Sequence, residues 1–326
     1  MSRSTRQAGP GIVSGPVTEA ACESVHSPEL PSEQPAAPGA TIGDVMRTDR
    51  LQLLAGKVIS AGEGEPAEAF LRFLLGGVAF AAGITGALLV AVPGSTSRWF
   101  SWGLEPQPLA SLIGGSYVAS AFVFGHALGK GWREVRGLAA GTLALTIPIL
   151  VVTSMHLDVF DFGRWQAWAW VFLFIASPLS FGAIVLLRRG QVTPTGPILS
   201  SWARALAALL AVVFIGAAIS LWWDPERASN ALPFVLPPLG GRVLGCWTSF
   251  LAFLAGWSAV RGRWEEARVP LLGLAAFAVG ALAGSIRNFV ELEPPGTRWS
   301  YLLVLLVLLV VTTGLATRGR SVRDLR

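Results

Sequence analysis

The chain has 326 residues, of which 52% are hydrophobic and only 14% charged, and its mean hydropathy is +0.57. These values exclude an ordinary soluble domain and point to an integral membrane protein. A net charge of +5 and a pI near 10.0 would suit a nucleic-acid binder, but the positive charges sit on alternate loops and at the tails, so they read as membrane topology and no nucleic-acid partner is expected.

Residues 1 to about 40 are rich in Pro, Ala, Gly, Ser and Glu and carry no hydrophobic period, the signature of a disordered tail. Further on, Ile42, Val45, Met46, Leu53, Leu54 and Val58 come at partly helical spacing. A short amphipathic helix on the membrane surface is one reading, and a polar linker with incidental aliphatics is the preferred one. Residues 1–69 are expected to form a cytoplasmic tail. The first forty residues lack the apolar core of a cleavable signal peptide, so the first span is expected to start insertion itself.

Lipid offers the backbone no hydrogen-bond partner, so a spanning segment must be a helix of roughly 20 mostly apolar residues. Stretches of this kind lie at about 70–91, 109–128, 137–155, 167–187, 205–223, 243–260, 269–286 and 300–317. Lys130, Arg133 and Arg136 follow the second span, Arg188, Arg189 and Arg204 the fourth, Arg261, Arg263 and Arg268 the sixth, and Arg318, Arg320, Arg323 and Arg326 the eighth. The opposite loops hold fewer arginines and carry acids such as Asp158, Asp161, Glu291 and Glu293. Both termini are therefore expected in the cytoplasm, in agreement with an even span count. Among 25 Lys and Arg residues only Lys57 and Lys130 are lysine; that bias suggests a GC-rich genome, hence a bacterial plasma membrane. Cys22 and Cys246 fall on opposite sides of the membrane in this topology and cannot pair within one chain.

Trp132, Glu134 and Arg136 recur at an offset of 132 as Trp264, Glu266 and Arg268, each set in a short basic loop between apolar runs. The same offset pairs Arg72 with Arg204, Pro93 with Pro225, Ser97 with Ser229 and Pro106 with Pro238. The expected fold is an all-α integral membrane protein whose eight transmembrane helices form two parallel four-helix repeats. Residues 70–190 and 202–318 are the repeats, 191–201 a cytoplasmic linker and 319–326 a basic tail. An even number of spans per unit makes the copies enter the membrane from the same side, related by a pseudo-twofold axis along its normal.

At the cytoplasmic edge, the residues repeated in both halves are expected to be structural. Trp132 and Trp264 anchor at the interface, Arg136 and Arg268 fix orientation, and contacts between Glu and Arg tie tight loops to helix ends. The functional alternative is a pair of switchable ion pairs, Arg72 with Glu134 and Arg204 with Glu266. Pro148 in span three aligns with Gly280 in span seven, and corresponding interruptions in both halves of a repeated membrane protein point to a binding site. Thr142, Thr146 and Ser285 would supply neutral polar contacts there. Against this, Gly137-xxx-Gly141 and Gly280-xxx-Gly284 also read as helix-packing faces, and packing is the preferred reading. Gly114, Gly115, Ser116 and Ser120, opposite Gly245, Thr248 and Ser249, read as close helix contact as well.

His156, Asp158 and Asp161 form an acidic rim rather than a metal site, since no second His or Cys lies near and the counterpart of His156 is Asn288. His126 is the one ionisable residue well inside a span and is expected to make a helix-to-helix hydrogen bond. It lies too far from His156 for paired haem ligation across a membrane about 30 Å thick. No Asp, Glu, Lys or Arg lies deep in a span, and no phosphate-binding glycine loop, nucleophile elbow, His-Glu-x-x-His or Cys-x-x-Cys occurs. No enzymatic activity, cofactor or metal is expected.

A Pro-rich outer loop (Leu104, Pro106, Pro108; Leu236, Pro237, Pro238), a Gly-containing span and then Trp-x-Glu-x-Arg resemble uncharacterised multi-pass membrane proteins of high-GC bacteria, in which a four-helix unit occurs singly or in tandem. The likeness covers about 72–319 and implies the architecture alone. Two functions are in play: a membrane subunit or scaffold, whose partners are the lipid bilayer, other membrane proteins or a second copy, and a binder or transporter of a neutral or lipid-like molecule in a cavity between the repeats.

Overall fold

The computed structural model describes residues 66–190 and 196–317. Residues 1–65 with the amphipathic segment, residues 191–195 of the linker and the basic carboxy-terminal tail lie outside them. Eight helices are long and apolar enough to cross a membrane: α1 (Pro66–Ala91), α2 (Gln107–Ala127), α3 (Trp132–Met155), α4 (Trp165–Leu187), α5 (Ser201–Trp223), α6 (Pro238–Arg261), α7 (Trp264–Arg287) and α8 (Pro295–Thr317). The chain is a multi-pass membrane protein by this criterion.

Helices begin earlier than the apolar runs suggest: α3 starts at Trp132 rather than near 137, and α6 at Pro238 rather than near 243. The first turn of a helix tolerates proline, because its amide would have no intrahelical partner, and favours acids, which meet the positive end of the macrodipole. Pro108 and Pro238 occupy such positions in α2 and α6, and Glu134, Glu265 and Glu266 lie in the first turns of α3 and α7. Gly262 closes α6 in the left-handed conformation at φ 60°, where the absence of a Cβ lets the Arg204 side chain lie against it.

The helices form an inner and an outer set. In the most apolar stretch, 78% of α2 and 67% of both α6 and α7 is buried, against 22% for α1, α4, α5 and α8; α3 is intermediate at 44%. Each outer helix packs on one inner partner: α1 on α2, α4 on α3, α5 on α6 and α8 on α7. Inside, α2 crosses α7, α3 crosses α6, and α7 also touches α3 and α6. By contrast, the backbones of α2 and α3 stay apart although only a short loop joins them. Lipid tails supply little hydrophobic drive for helix association, so close crossings depend on small residues that let backbones approach. Gly86 of α1 meets the backbone of α2 at Gly114 and Val118, and Gly115 of α2 lies against the backbone of Gly280 on α7.

Arg164 donates to the Ser97 and Arg98 carbonyls, and Arg287 Nη2 to the Ala91 carbonyl at 2.9 Å. These bonds join the loops at one end of the bundle. At the other end, Leu199 and Gly262 pair their backbones, the Trp264 amide donates to the Pro197 carbonyl, and Trp132 Nε1 donates to the Arg188 carbonyl at 3.3 Å.

Candidate ligand cavity

Where α2 and α3 separate, a cavity of about 270 Å³ opens, enclosed by α1, α2, α3 and α4 and closed on the inner side by Trp247 of α6. Helix periodicity explains which residues reach it. Val78, Ala82, Thr85 and Leu88 form one face of α1, and Gln166, Trp170, Phe174 and Ser177 form one face of α4. Its lining carries no Asp, Glu, Lys, Arg or His.

An aromatic cluster holds the end nearest the loops. Phe100 lies 4.8 Å from Trp102 and 5.6 Å from Trp170 between ring centroids, and Trp170 lies 4.4 Å from Phe174. Trp170 Nε1 donates to Thr153 Oγ1 at 3.0 Å, which fixes the indole in the wall. Deeper in, the Tyr117 and Trp247 rings meet edge to face at 5.1 Å. Tyr117 and Ser120 on α2, Thr142 and Thr146 on α3, and Trp247 on α6 give the floor five neutral hydrogen-bonding side chains. With a rise of about 1.5 Å per residue, each lies about 14–21 Å from the start of its helix, near the middle of a bilayer.

Several polar atoms in this wall have no partner. Trp247 is only 2% exposed, yet its Nε1 is without a hydrogen bond, as are the buried Trp99 Nε1 and Gln166 Oε1 nearer the loops. The cavity also has a side opening. The outer helices α1 and α4 barely touch, and along the gap Ile84, Leu88, Trp165 and Leu173 are partly or largely exposed on the face that lipid would cover.

The candidates named from sequence are divided among different places. Thr142 and Thr146 line the cavity and Ser120 joins them, but Pro148, Gly280 and Ser285 do not. Helix α3 runs unbroken through the half-buried Pro148. At Gly280 the space is occupied: a methyl group there would strike the backbone of Gly115. Ser285 Oγ donates to the Ala281 carbonyl at 2.7 Å and lies 3.3 Å from the Tyr301 hydroxyl. The cavity is thus walled by the first four helices together with Trp247 of α6, and is not centred on Pro148 and Gly280. The sequence reading did not single out Tyr117, Trp170 and Trp247, aromatic residues within spans, or Gln166, just before the fourth span, and only the separation of α2 from α3 makes them a wall.

The ion pairs also differ from expectation. Arg72 pairs with Glu68 at 2.6 Å on the surface, Glu134 approaches Lys130 at 3.8 Å, and Arg204 Nε donates to the Ala259 carbonyl at 3.1 Å. Glu266, 1% exposed, pairs instead with Arg136, and Glu265 with Arg133 at 3.3 Å. Both pairs link α3 to α7, because those helices begin side by side. Arg136 and Arg261 lie over the Trp257 ring at 5.5 and 4.8 Å. Of the recurring Glu and Arg residues, Arg136 and Glu266 therefore fasten the two halves of the chain to each other, while Arg72, Glu134 and Arg204 make local contacts.

Among the described residues no three His, Cys, Asp or Glu side chains are placed to hold a metal ion. His156 accepts from Arg242 Nη1 through Nε2 at 2.8 Å, while its Nδ1 faces the Val152 carbonyl at 3.0 Å, an arrangement that selects the neutral tautomer protonated on Nδ1. His126 stacks on Phe122 and its Nε2 has no partner, so the expected helix-to-helix hydrogen bond is not formed there.

No protein-family model matches the chain, and neither a curated protein nor a solved structure matches it.

Proposed function

We propose that this chain is a plasma-membrane protein of bacterial type, with both termini in the cytoplasm and two parallel four-helix repeats, that binds an uncharged, lipid-soluble molecule in the cavity of its first four helices. The observation that carries the reading is the lining: apolar and aromatic walls, a floor of neutral polar side chains, no charge, and a side opening toward the bilayer. Small-molecule sites have this composition, mostly apolar with a few placed polar groups. A charged substrate would meet no counter-ion there, and its desolvation would go uncompensated. Entry from the bilayer suits a molecule already dissolved in it.

Several features support the repeat. The Trp-x-Glu-x-Arg motifs begin equivalent helices, α3 at Trp132 and α7 at Trp264. Short helical turns follow both, at Leu157–Val159 and Phe289–Glu291. The outer-on-inner packing of α1 on α2 and α4 on α3 is matched by α5 on α6 and α8 on α7. Arginine-rich segments at the Trp132 and Trp264 end support a cytoplasmic placement of that end.

Native mass spectrometry on protein purified gently from its own membrane tests the function. An uncharged lipid-soluble mass that persists after loosely held phospholipid is stripped is the expected result. A bare chain across all activation energies counts against the binding role, and a reproducible protein partner on an otherwise bare chain would favour the subunit reading.

A further inference from the structure

The cavity specifies more than an apolar occupant. Thr142 Oγ1 donates its proton to the Leu138 carbonyl at 3.0 Å, and Thr146 Oγ1 donates to the Thr142 carbonyl at 2.8 Å. Both side chains line the cavity, and with their protons already used their hydroxyls have only acceptor capacity left. Trp247 Nε1 is the reverse: an indole can only donate, and this one has no acceptor. A donor left unsatisfied in a dry interior is costly, and the side chain that carries it is almost fully buried against the cavity. One small uncharged group answers both requirements, because a hydroxyl accepts from an indole and donates to a threonine oxygen. A hydrocarbon answers neither, and an ether or ester oxygen answers only the indole.

Depth determines the orientation. The neutral polar floor lies near mid-membrane, while the gap between α1 and α4 opens sideways to lipid, so the polar end of the occupant belongs inside and its apolar tail in the gap. Ile84, Leu88 and Leu173 would lie along that tail. We infer that the ligand is a lipid alcohol, an uncharged amphiphile held by its hydroxyl between Trp247 Nε1 and the Thr142 and Thr146 oxygens. This inference rests on the binding role proposed for the cavity and names the chemical class of its occupant.

The test is equilibrium binding of radiolabelled 1-dodecanol to the full chain in lipid nanodiscs, with dodecyl methyl ether and dodecane as competitors. Trp247→Phe keeps the ring and removes the N–H; Thr146→Val keeps the shape and removes the acceptor. Saturable binding is expected, displaced by unlabelled dodecanol but at least several-fold less well by the ether and the hydrocarbon. Each variant should weaken dodecanol about fivefold, the scale of one net hydrogen bond, without changing dodecane competition. If Trp247→Phe fails to fold, Thr146→Val alone decides the matter. Competition by ether or hydrocarbon equal to that of the alcohol, or unchanged affinity in the variants, overturns the alcohol while leaving an apolar binding cavity. Absence of saturable binding by any of the three probes overturns the cavity reading itself.

Discussion

The cavity lined by Thr142 and Thr146 lies among the first four helices, although α6 and α7 match α2 and α3 in chain order and in their outer partners. A single pair of positions accounts for much of the difference. On the α2–α7 crossing, Gly115 and Gly280 place backbone against backbone. At the positions offset by 132 stand Trp247 of α6, whose ring meets Tyr117, and Pro148 of α3, one the largest side chain available and the other a ring without an amide proton. Side chains of that size do not permit the backbone-to-backbone approach that Gly115 and Gly280 make. Helix α7 is drawn in against α2 and α6, whereas α3 is held off α2, and the space between them becomes the cavity. Lining residues differ between the halves as well: Ala82, Thr142 and Leu145 stand where the second half has Phe214, Leu274 and Phe277. At these positions the second half carries a larger apolar residue, whereas Tyr117, Ser120, Phe124 and Thr146 stand where it has the smaller Ser249, Ala252, Gly256 and Ala278.

The strongest test of this comparison is at the fastening between the halves. Arg136→Met removes the partner of Glu266, leaving a carboxylate that is 1% exposed with only Arg261 Nε at 3.8 Å. Breaking a buried pair from one side costs about 3–5 kcal/mol, and the remaining arginine places this case near the lower end. A thermal-unfolding series in detergent should show it as the most destabilised variant, with Glu266→Gln in the same background recovering part of the loss. If Arg136→Met unfolds like the wild type, the ion pair is not what holds α3 to α7.

Next in size is the glycine contact. Gly280→Ala adds a methyl group where the backbone of Gly115 already lies, so the α2–α7 crossing must widen at a cost of about 1–3 kcal/mol. Gly77→Ala is its control, because nothing lies within 4 Å of the added carbon, and alanine there should leave stability equal or slightly improved. Equal behaviour of the two substitutions would remove the close crossing as the reason for the asymmetry.

Much of this fold was legible in the sequence, and the reasons are local. A run of apolar residues ended by arginine and tryptophan carries its own instruction to span a membrane, so all eight helices were placed, with the errors mainly in first turns, each helix beginning two to five residues before its apolar run. Gly280-xxx-Gly284 was legible as a packing face for the same reason, since small residues at helical spacing have few other uses in a membrane. The cavity was only half legible. Thr142 and Thr146 stood out as polar residues in an apolar helix, but Trp247 and Tyr117 carry no local mark that distinguishes a cavity wall from a core. Their role depends on how far α3 stands from α2, a property of the tertiary crossing. The ion pairs failed for a related reason: loop proximity suggested Arg204 as the partner of Glu266, and only the packing of α3 beside α7 brings Arg136 closer.

Ala82→Phe brings the comparison to the cavity itself, by giving the first half the residue the second half carries at Phe214. Ala82 is buried at 5% and faces the open space, so the ring can enter it without displacing backbone. The expected change in unfolding free energy is within about 1 kcal/mol of zero, as filling a void offsets modest overpacking. Retention of a bound lipid-soluble mass should nevertheless fall sharply in native mass spectra. Unchanged retention would place the ligand elsewhere.

The smallest effect is expected where the halves differ most quietly. Glu134 has the same place in its motif as Glu266, but its side chain is 26% exposed and its partner Lys130 is 3.8 Å away, so the pair is a weak, solvated one. Glu134→Gln should change stability by no more than about 0.5 kcal/mol, several times less than Arg136→Met, and its own effect should shrink further at high salt because screening acts mainly on exposed charges. An equal loss from Glu134→Gln would mean that both glutamates fasten the halves, and that the asymmetry is confined to the membrane-embedded crossing at Gly115 and Gly280.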